Sequence, residues 1–114
     1  MEATASSKYL RMSPQKVRLV VDLIRGQDAG EALNILRFTK KRATREVEKV
    51  LRSAIANAEQ KSENVDVDRL VVVKAYVDDG PRAKRIRPAP MGRAYRYQRR
   101  MSHVTVVVEE RTQD

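Results

Sequence analysis

Residues 70–108 read LVVVKAYVDDGPRAKRIRPAPMGRAYRYQRRMSHVTVVV, and this stretch changes character twice. Leu70 to Val77 is β-branched and alternates Val71, Val73, Ala75 and Val77 against Val72, Lys74 and Tyr76, the period-2 pattern of a strand. His103 to Val108 repeats that pattern. Between Asp79 and Glu109 there is no acidic side chain, yet Arg82, Lys84, Arg85, Arg87, Arg93, Arg96, Arg99 and Arg100 all fall there. If the two runs pair antiparallel, the residues between them form one long hairpin connection. Asp79, Gly80 and Pro81 mark a bend at its base, and Pro88, Ala89, Pro90, Met91 and Gly92 supply its tip. Each arm spans about nine residues and, at about 3.3 Å per residue, projects on the order of 30 Å. Such a ribbon has no apolar face and is not stable alone in water, so it is expected to become ordered on a partner.

The charge is correspondingly local. The chain has 24 Lys and Arg against 15 Asp and Glu, a net +9, and those eight cations account for nearly all of it. Beside the reading as an ordinary solvated loop stands the fact that like charges without counter-ions repel one another and oppose compaction; the run is suited to a polyanion. Seven of the eight are arginine, whose planar fork bridges phosphates bidentately and stacks on bases. Phosphate contacts position a protein without reading sequence, so recognition of shape rather than of a short sequence is expected. Tyr95 and Tyr97 lie two apart, share one side of an extended arm, and can either stack on unpaired bases or cover the base of the hairpin. Met91 is a flexible apolar group at the tip, suited to filling gaps against a partner surface.

Upstream of this stretch the periodicity is helical. Ser13 and Pro14 read as a hydroxyl N-cap followed by proline at the first helical position, Val17, Val20, Val21 and Ile24 form the apolar stripe, and Gly26 closes the helix. Asp28 and Glu31 suggest an acidic variant of the capping box for a second helix with Ala32, Leu33, Ile35 and Leu36 on its apolar face. A third helix is predicted from near Thr39 to Arg42 through about Lys61, with Val47, Val50, Leu51, Ala54, Ile55 and Ala58 inward. Tyr9 to Met12, or the few residues before them, supply a weaker third strand. The predicted fold is α+β: three helices packed on a small antiparallel sheet of about three strands, with a long protruding basic β-hairpin. Residues 1–114 make one domain, and 80–102 form the extended hairpin.

Composition excludes several classes of function. A chain of 114 residues, 41% hydrophobic, holds one domain with a modest core. It has no cysteine, hence no disulfide framework and no thiolate metal site, in keeping with a reducing cytoplasm. Met1 to Met12 lacks the apolar core of a signal peptide, and no run approaches bilayer-spanning length, which predicts a soluble intracellular protein with no membrane partner. A pI near 10.3 points to nucleic acid first and an anionic membrane surface second. His103 is the single histidine, which argues against paired-histidine catalysis or a multi-histidine metal site, and leaves it a structural or RNA-contacting residue at the start of a strand. Asp78 and Asp79 invite a metal-nuclease reading, but adjacent strand residues face opposite sides, and a turn before Gly80 is the simpler role. No glycine motif that cradles phosphate is present, so neither an enzyme nor a cofactor is expected.

Two further basic groups complete the candidate interface. Lys8 and Arg11 precede the first helix and Lys16 and Arg18 lie in its opening turns, where backbone N–H groups add to the side-chain charge. Lys40, Lys41, Arg42 and Arg45 form another cluster, but Glu46 and Glu48 follow at once, and an ordinary solvated face fits it as well.

The run Ser13, Pro14, Gln15, Lys16, Val17, Arg18, Leu19, Val20, Val21, Asp22, Leu23, Ile24, Arg25, Gly26 closely resembles the first helix of the bacterial large-subunit ribosomal protein twenty-two family. Ser53 to Ala58, Tyr76 to Pro81, Lys84 and Arg85, Gly92 to Ala94, and Ser102 with His103 follow in the family's order, so the resemblance covers essentially the whole chain. It implies a small α+β domain near the polypeptide exit, monomeric within the ribosome, whose hairpin lines the exit tunnel. The implied partners are large-subunit ribosomal RNA, neighbouring large-subunit proteins, and nascent polypeptide passing the tip. It also implies a part in early subunit assembly and no enzymatic activity. The chain departs from the family at the tip, where Ala89, Pro90 and Met91 replace a pattern that carries an arginine, and at Met101, which stands in place of a threonine. The alternative reading of the residues is an architectural DNA-binding protein whose basic β-ribbon enters a minor groove. Such proteins are usually dimers, and no helix here has a second apolar face that demands one.

Overall fold

The computed structural model describes residues 2–61, 64–80, 83–88, 94–99 and 101–110. Strand β1 (Glu2–Leu10) leads into helices α1 (Pro14–Ile24), α2 (Ala29–Phe38) and α3 (Thr44–Lys61). A short 3-10 turn (Val67–Arg69) then precedes β2 (Leu70–Asp79), β3 (Ala83–Pro88), β4 (Ala94–Arg99) and β5 (Ser102–Glu110). The first, second and last strands form an antiparallel sheet in the order β1-β5-β2, while β3 and β4 pair antiparallel as a separate two-stranded sheet. Three helices on a three-stranded antiparallel sheet is the predicted α+β class. The third strand runs from Glu2 to Leu10, so it lies mainly in the residues before Tyr9 and overlaps the Tyr9–Met12 window only at Tyr9 and Leu10.

The central strand is the best buried. Val104, Val106 and Val108 are sealed on the helix side. Register sets two of them opposite alanines of β1: Ala3–Val108–Val72 and Ala5–Val106–Ala75 lie in rows across the sheet. The alanines let α3 lie close over β1. Its buried stripe of Val47, Val50, Leu51, Ala54 and Ala58 joins Val17, Val20, Val21 and Ile24 of α1 and Leu36 of α2 in one core. At about 25 cal/mol per Å² of apolar surface, each fully buried Val or Leu contributes on the order of 1.5–3 kcal/mol.

Several local expectations are corrected. Helix α3 starts at Thr44 because Thr39 terminates α2, with its Oγ1 donating to the Ile35 carbonyl at 2.6 Å, which leaves the Lys40–Lys41–Arg42 run in the connection. Neither the Ser13 nor the Asp28 side chain makes a cap hydrogen bond. The backbone carbonyls begin the helices instead, Ser13 O accepting from Lys16 and Val17 N–H, and Asp28 O from Ala32 N–H. Gly26 closes α1 as predicted, at φ +83°. Strict alternation fails in β2, where Val72 opposes Val108, Lys74 opposes Val107, and Val73 is an extra residue in a bulge. The bulge turns Val73 outward and brings Ala75 and Val77 back onto the core side. Asp78 and Asp79 are the last residues of β2, paired with His103 and Ser102, rather than turn residues.

Both free edges of the sheet are closed by helix side chains. Asn57 Nδ2 donates to Thr4 O at 2.9 Å and Lys61 Nζ to Glu2 O at 2.7 Å along β1. Along β2, Arg18 donates to Val77 O at 2.9 Å and Arg25 donates twice to Ala75 O, at 3.1 and 2.6 Å. Gly26 N–H and Gln27 O complete that edge through Val72. Unpaired strand edges template association, so these contacts protect the fold as well as stabilise it.

Leu51 is fully buried at the centre of α3. Leu51→Ala is expected to cost about 2–5 kcal/mol in denaturant unfolding with the slope unchanged; a loss below 1 kcal/mol contradicts this placement of the core.

Candidate nucleic-acid interface

The contacts of α1 with β2 fix the direction of the helix. Arg18 reaches Val77, Arg25 reaches Ala75 and Gly26 reaches Val72, so α1 runs opposite to β2 and its N-terminus lies at the Asp79 end of the sheet. That end leads into β3 and β4. Gly80 N–H donates to Met101 O at 2.8 Å, which continues the ladder beyond Asp79–Ser102 toward them. The Gly80 backbone is crowded there: a Cβ would sit 3.1–3.2 Å from Met101 backbone and Cβ atoms, so a side chain at this position would have to displace Met101 by a few tenths of an ångström. Beyond it, β3 and β4 pair Lys84 with Gln98, Arg85 with Tyr97, Ile86 with Arg96, Arg87 with Tyr95, and Ala83 with Arg99. Arg82, Ala89, Pro90, Met91, Gly92, Arg93 and Arg100 lie outside the described residues, as does Pro81; Pro88 ends β3 opposite Ala94.

The remaining predicted cations gather at the same end. Lys8 is exposed on β1, Arg11 follows the strand, and Lys16 is exposed in the first turn of α1. From Ala3 to Val21 the chain has no acidic residue, which makes a second acid-free stretch beside the first. Arg18 differs from these three: its guanidinium is tied to the Val77 carbonyl, so it holds the edge of β2 as well as adding charge. Arg25 does the same through Ala75 and also pairs with Asp22 at 2.7 Å, a structural role that its place in the amphipathic pattern did not disclose. Lys40, Lys41, Arg42 and Arg45 are exposed in and after the α2–α3 connection.

The opposite end of the sheet is acidic. Glu2 faces Glu109 across the strands and Glu110 pairs with Leu70. Nearby, Asp28, Glu31, Glu59 and Asp68, together with Arg52, rim a hollow of about 480 Å³ between α2 and α3, with Leu33, Ile55 and Val67 among its walls. Carboxylates outnumber cations at this end, which also holds Lys61, Arg69 and Arg52, while the two acid-free stretches meet at the other beside Asp78 and Asp79, so a polyanion is favoured at the ribbon's end.

His103 sits half-buried at the junction. Its Nδ1 accepts a 3.0 Å hydrogen bond from the Tyr9 backbone N–H, so the ring proton resides on Nε2. The Tyr9 and His103 rings meet edge to face at 5.0 Å and 88°. The register explains the closeness. Ser7 opposes Val104 and Leu10 opposes Ser102, so Lys8 and Tyr9 together stand across from His103 in a bulge. Tyr9 pays for this with φ +61°, the one positive value at a non-glycine among the described residues, worth about 1–2 kcal/mol of strain. Neither Tyr9 nor Tyr76 was singled out from sequence, because only the strand pairing shows that both belong to the sheet face away from the helices.

The charge division separates two kinds of arginine and lysine. Arg25→Ala is expected to lower stability by about 1–2 kcal/mol through the lost Ala75 contacts. Alanine at Lys8, Arg11 and Lys16 together is expected to leave the thermal midpoint within a few degrees. A large destabilisation by the triple variant, read by calorimetry, contradicts the division.

The family described as ribosomal protein L22p/L17e matches residues 5–109 of the chain. Large ribosomal subunit protein uL22 of Solibacter usitatus is 64% identical over 111 residues, covering 97% of this chain and 98% of that protein. The protein of the same name from Maridesulfovibrio salexigens is 57% identical over 110 residues, covering 96% and 99%. That of Koribacter versatilis is 53% identical over 115 residues, covering 97% of this chain and 69% of the relative.

Proposed function

Because the chain belongs to the ribosomal protein L22p/L17e family, we propose that its basic ribbon binds large-subunit ribosomal RNA, aids assembly of the subunit, and carries its tip to the polypeptide exit tunnel. The chain is a structural constituent of the large ribosomal subunit and not an enzyme. It works in the cytoplasm as part of the ribosome, as a monomer among neighbouring ribosomal proteins; among the described residues no helix is long and apolar enough to cross a membrane.

The observation that carries the proposal is the polarity of the domain, with the acid-free segment leaving the sheet at the end where Lys8, Arg11 and Lys16 also lie. In this reading 80–102 is an extended hairpin hinged at Gly80 and Met101. The molecule's extents of 68 × 26 × 18 Å and its radius of gyration of 17.5 Å, against about 13 Å for a compact domain of this length, support an arm of that reach. Arg82, Lys84, Arg85, Arg87, Arg93, Arg96, Arg99 and Arg100 neutralise phosphate, with Lys8, Arg11, Lys16 and Arg18 at the base and His103 beside them as a hydrogen-bond donor to RNA. Tyr95 and Tyr97 stack on bases. Pro88, Ala89, Pro90, Met91 and Gly92 form the tip past which the nascent chain moves; Arg87 stands next to the place where the tip lacks the family's arginine.

Counter-ion release gives the test. Binding to bacterial large-subunit ribosomal RNA should weaken steeply with salt, the eight cations of the ribbon alone contributing up to about −6 to −7 to the logarithmic slope, and should exceed binding to duplex DNA of equal length. A flat slope, or equal affinity for the DNA, rejects the proposal. Deleting Lys84 to Arg96 should weaken RNA binding while the remaining domain still unfolds cooperatively, since its core lies in the helices and the three-stranded sheet.

A further inference from the structure

We propose that the open face of the sheet, at the base of the ribbon, is a second RNA-contacting element: the Tyr9 ring stacks on an unpaired base there, with the Nε2–H of His103 available as a donor beside it. The proposal rests on the RNA-binding reading above and extends it to a surface that the basic residues do not mark.

The backbone of Tyr9 is the first observation. A bulky residue in the left-handed region is uncommon, and glycine or asparagine occupies such positions at less strain. Burial does not explain the choice, because Tyr9 is 61% exposed and stands outside the core. The sheet therefore holds a strained residue in order to present a ring to the outside, the kind of outlier from which a functional role is properly inferred.

The second observation is how the ring is held. Its own N–H is fixed to His103 Nδ1 and its ring meets the imidazole edge to face, so it is oriented before any partner arrives. The same hydrogen bond assigns the imidazole proton to Nε2.

Position supplies the third. The face away from the helices has the rows Thr4–Val107–Lys74 and Ser6–Thr105–Tyr76, then His103 between the Lys8–Tyr9 bulge and Asp78. The Ser6 and Thr105 hydroxyls bond across it at 3.1 Å, and Tyr76 is 44% exposed. The face runs through the Gly80–Met101 contact toward β3 and β4. Asp78 opposite His103 disfavours a phosphate at this spot, whereas a base offers an uncharged π-face that any tyrosine can stack upon. The occupant that fits is a nucleotide base whose phosphates lie toward Lys8 and Arg11.

The test uses full-length protein and in vitro transcribed bacterial large-subunit ribosomal RNA. Tyr9→Gly relieves the backbone and removes the ring. Its thermal midpoint is expected at or above that of the wild type, while its affinity for the RNA falls roughly ten-fold and the salt slope stays unchanged. Tyr9→Phe should keep most of the affinity. Photo-crosslinking of the wild-type complex, mapped by mass spectrometry, should place a nucleotide on Tyr9. Unchanged affinity in Tyr9→Gly overturns the proposal; so does a midpoint lowered by several degrees, which makes the ring part of the fold, or a Tyr9→Phe loss equal to that of glycine, which makes the hydroxyl the contact. A flat salt slope in the wild type overturns the ribbon reading itself and is distinguishable from all of these.

Discussion

The insertion of β5 between β1 and β2 is the interaction on which the rest of this molecule depends. It joins residues 2–10 to the last strand across the length of the chain and, at the same time, closes the connection that begins at Gly80. The closure entropy of such distant pairings is recovered by burying Val104, Val106 and Val108 in the core against α1 and α3. An arginine-rich segment cannot supply that free energy, because its charges repel and its face is polar. It can be carried only if the strands on either side of it are held independently, and the β2–β5 ladder from Leu70–Glu110 to Asp79–Ser102 does so.

The helices are bound to this sheet in two ways. Their apolar stripes make the core, while Asn57 and Lys61 on one side and Arg18 and Arg25 on the other satisfy carbonyls along the two free edges. A basic residue in this chain is therefore not automatically a contact for RNA. The charge needed for the edges lies on the interior-facing margins of α1 and α3, and the charge left for a polyanion gathers where α1 begins and the ribbon departs.

Much of this was legible in the sequence. Pro14 and Gly26 bracket α1 because each acts through its own backbone, and the valine periodicities at 70–77 and 103–108 reflect burial that the composition alone reveals. The rest depends on partners far away in sequence. The bulge at Val73 arises from register against Val107 and Val108, so strict alternation misplaced Val73. The start of α3 moved to Thr44 because α2 ended at Thr39 through a bond to Ile35, a competition between neighbours that helical spacing does not encode. Tyr9 gave no signal at all: its φ of +61° and its hydrogen bond to His103 exist only once residues 94 positions apart are paired. Among the candidate site residues, the local charge run was plain, whereas the dual role of Arg18 required the position of Val77.

In the proposed arrangement the sheet anchors a ribbon which reaches into ribosomal RNA while the far end of the domain faces away from it. The absence of cysteine from the chain permits a direct measurement: single cysteines at Met91 and at Glu31, each bearing a photo-crosslinker, in large subunits assembled with the variant protein. The account predicts crosslinks from position 91 to large-subunit ribosomal RNA and to polypeptide held in translating ribosomes, with none to RNA from position 31. RNA crosslinks from position 31 and none from position 91 would contradict it.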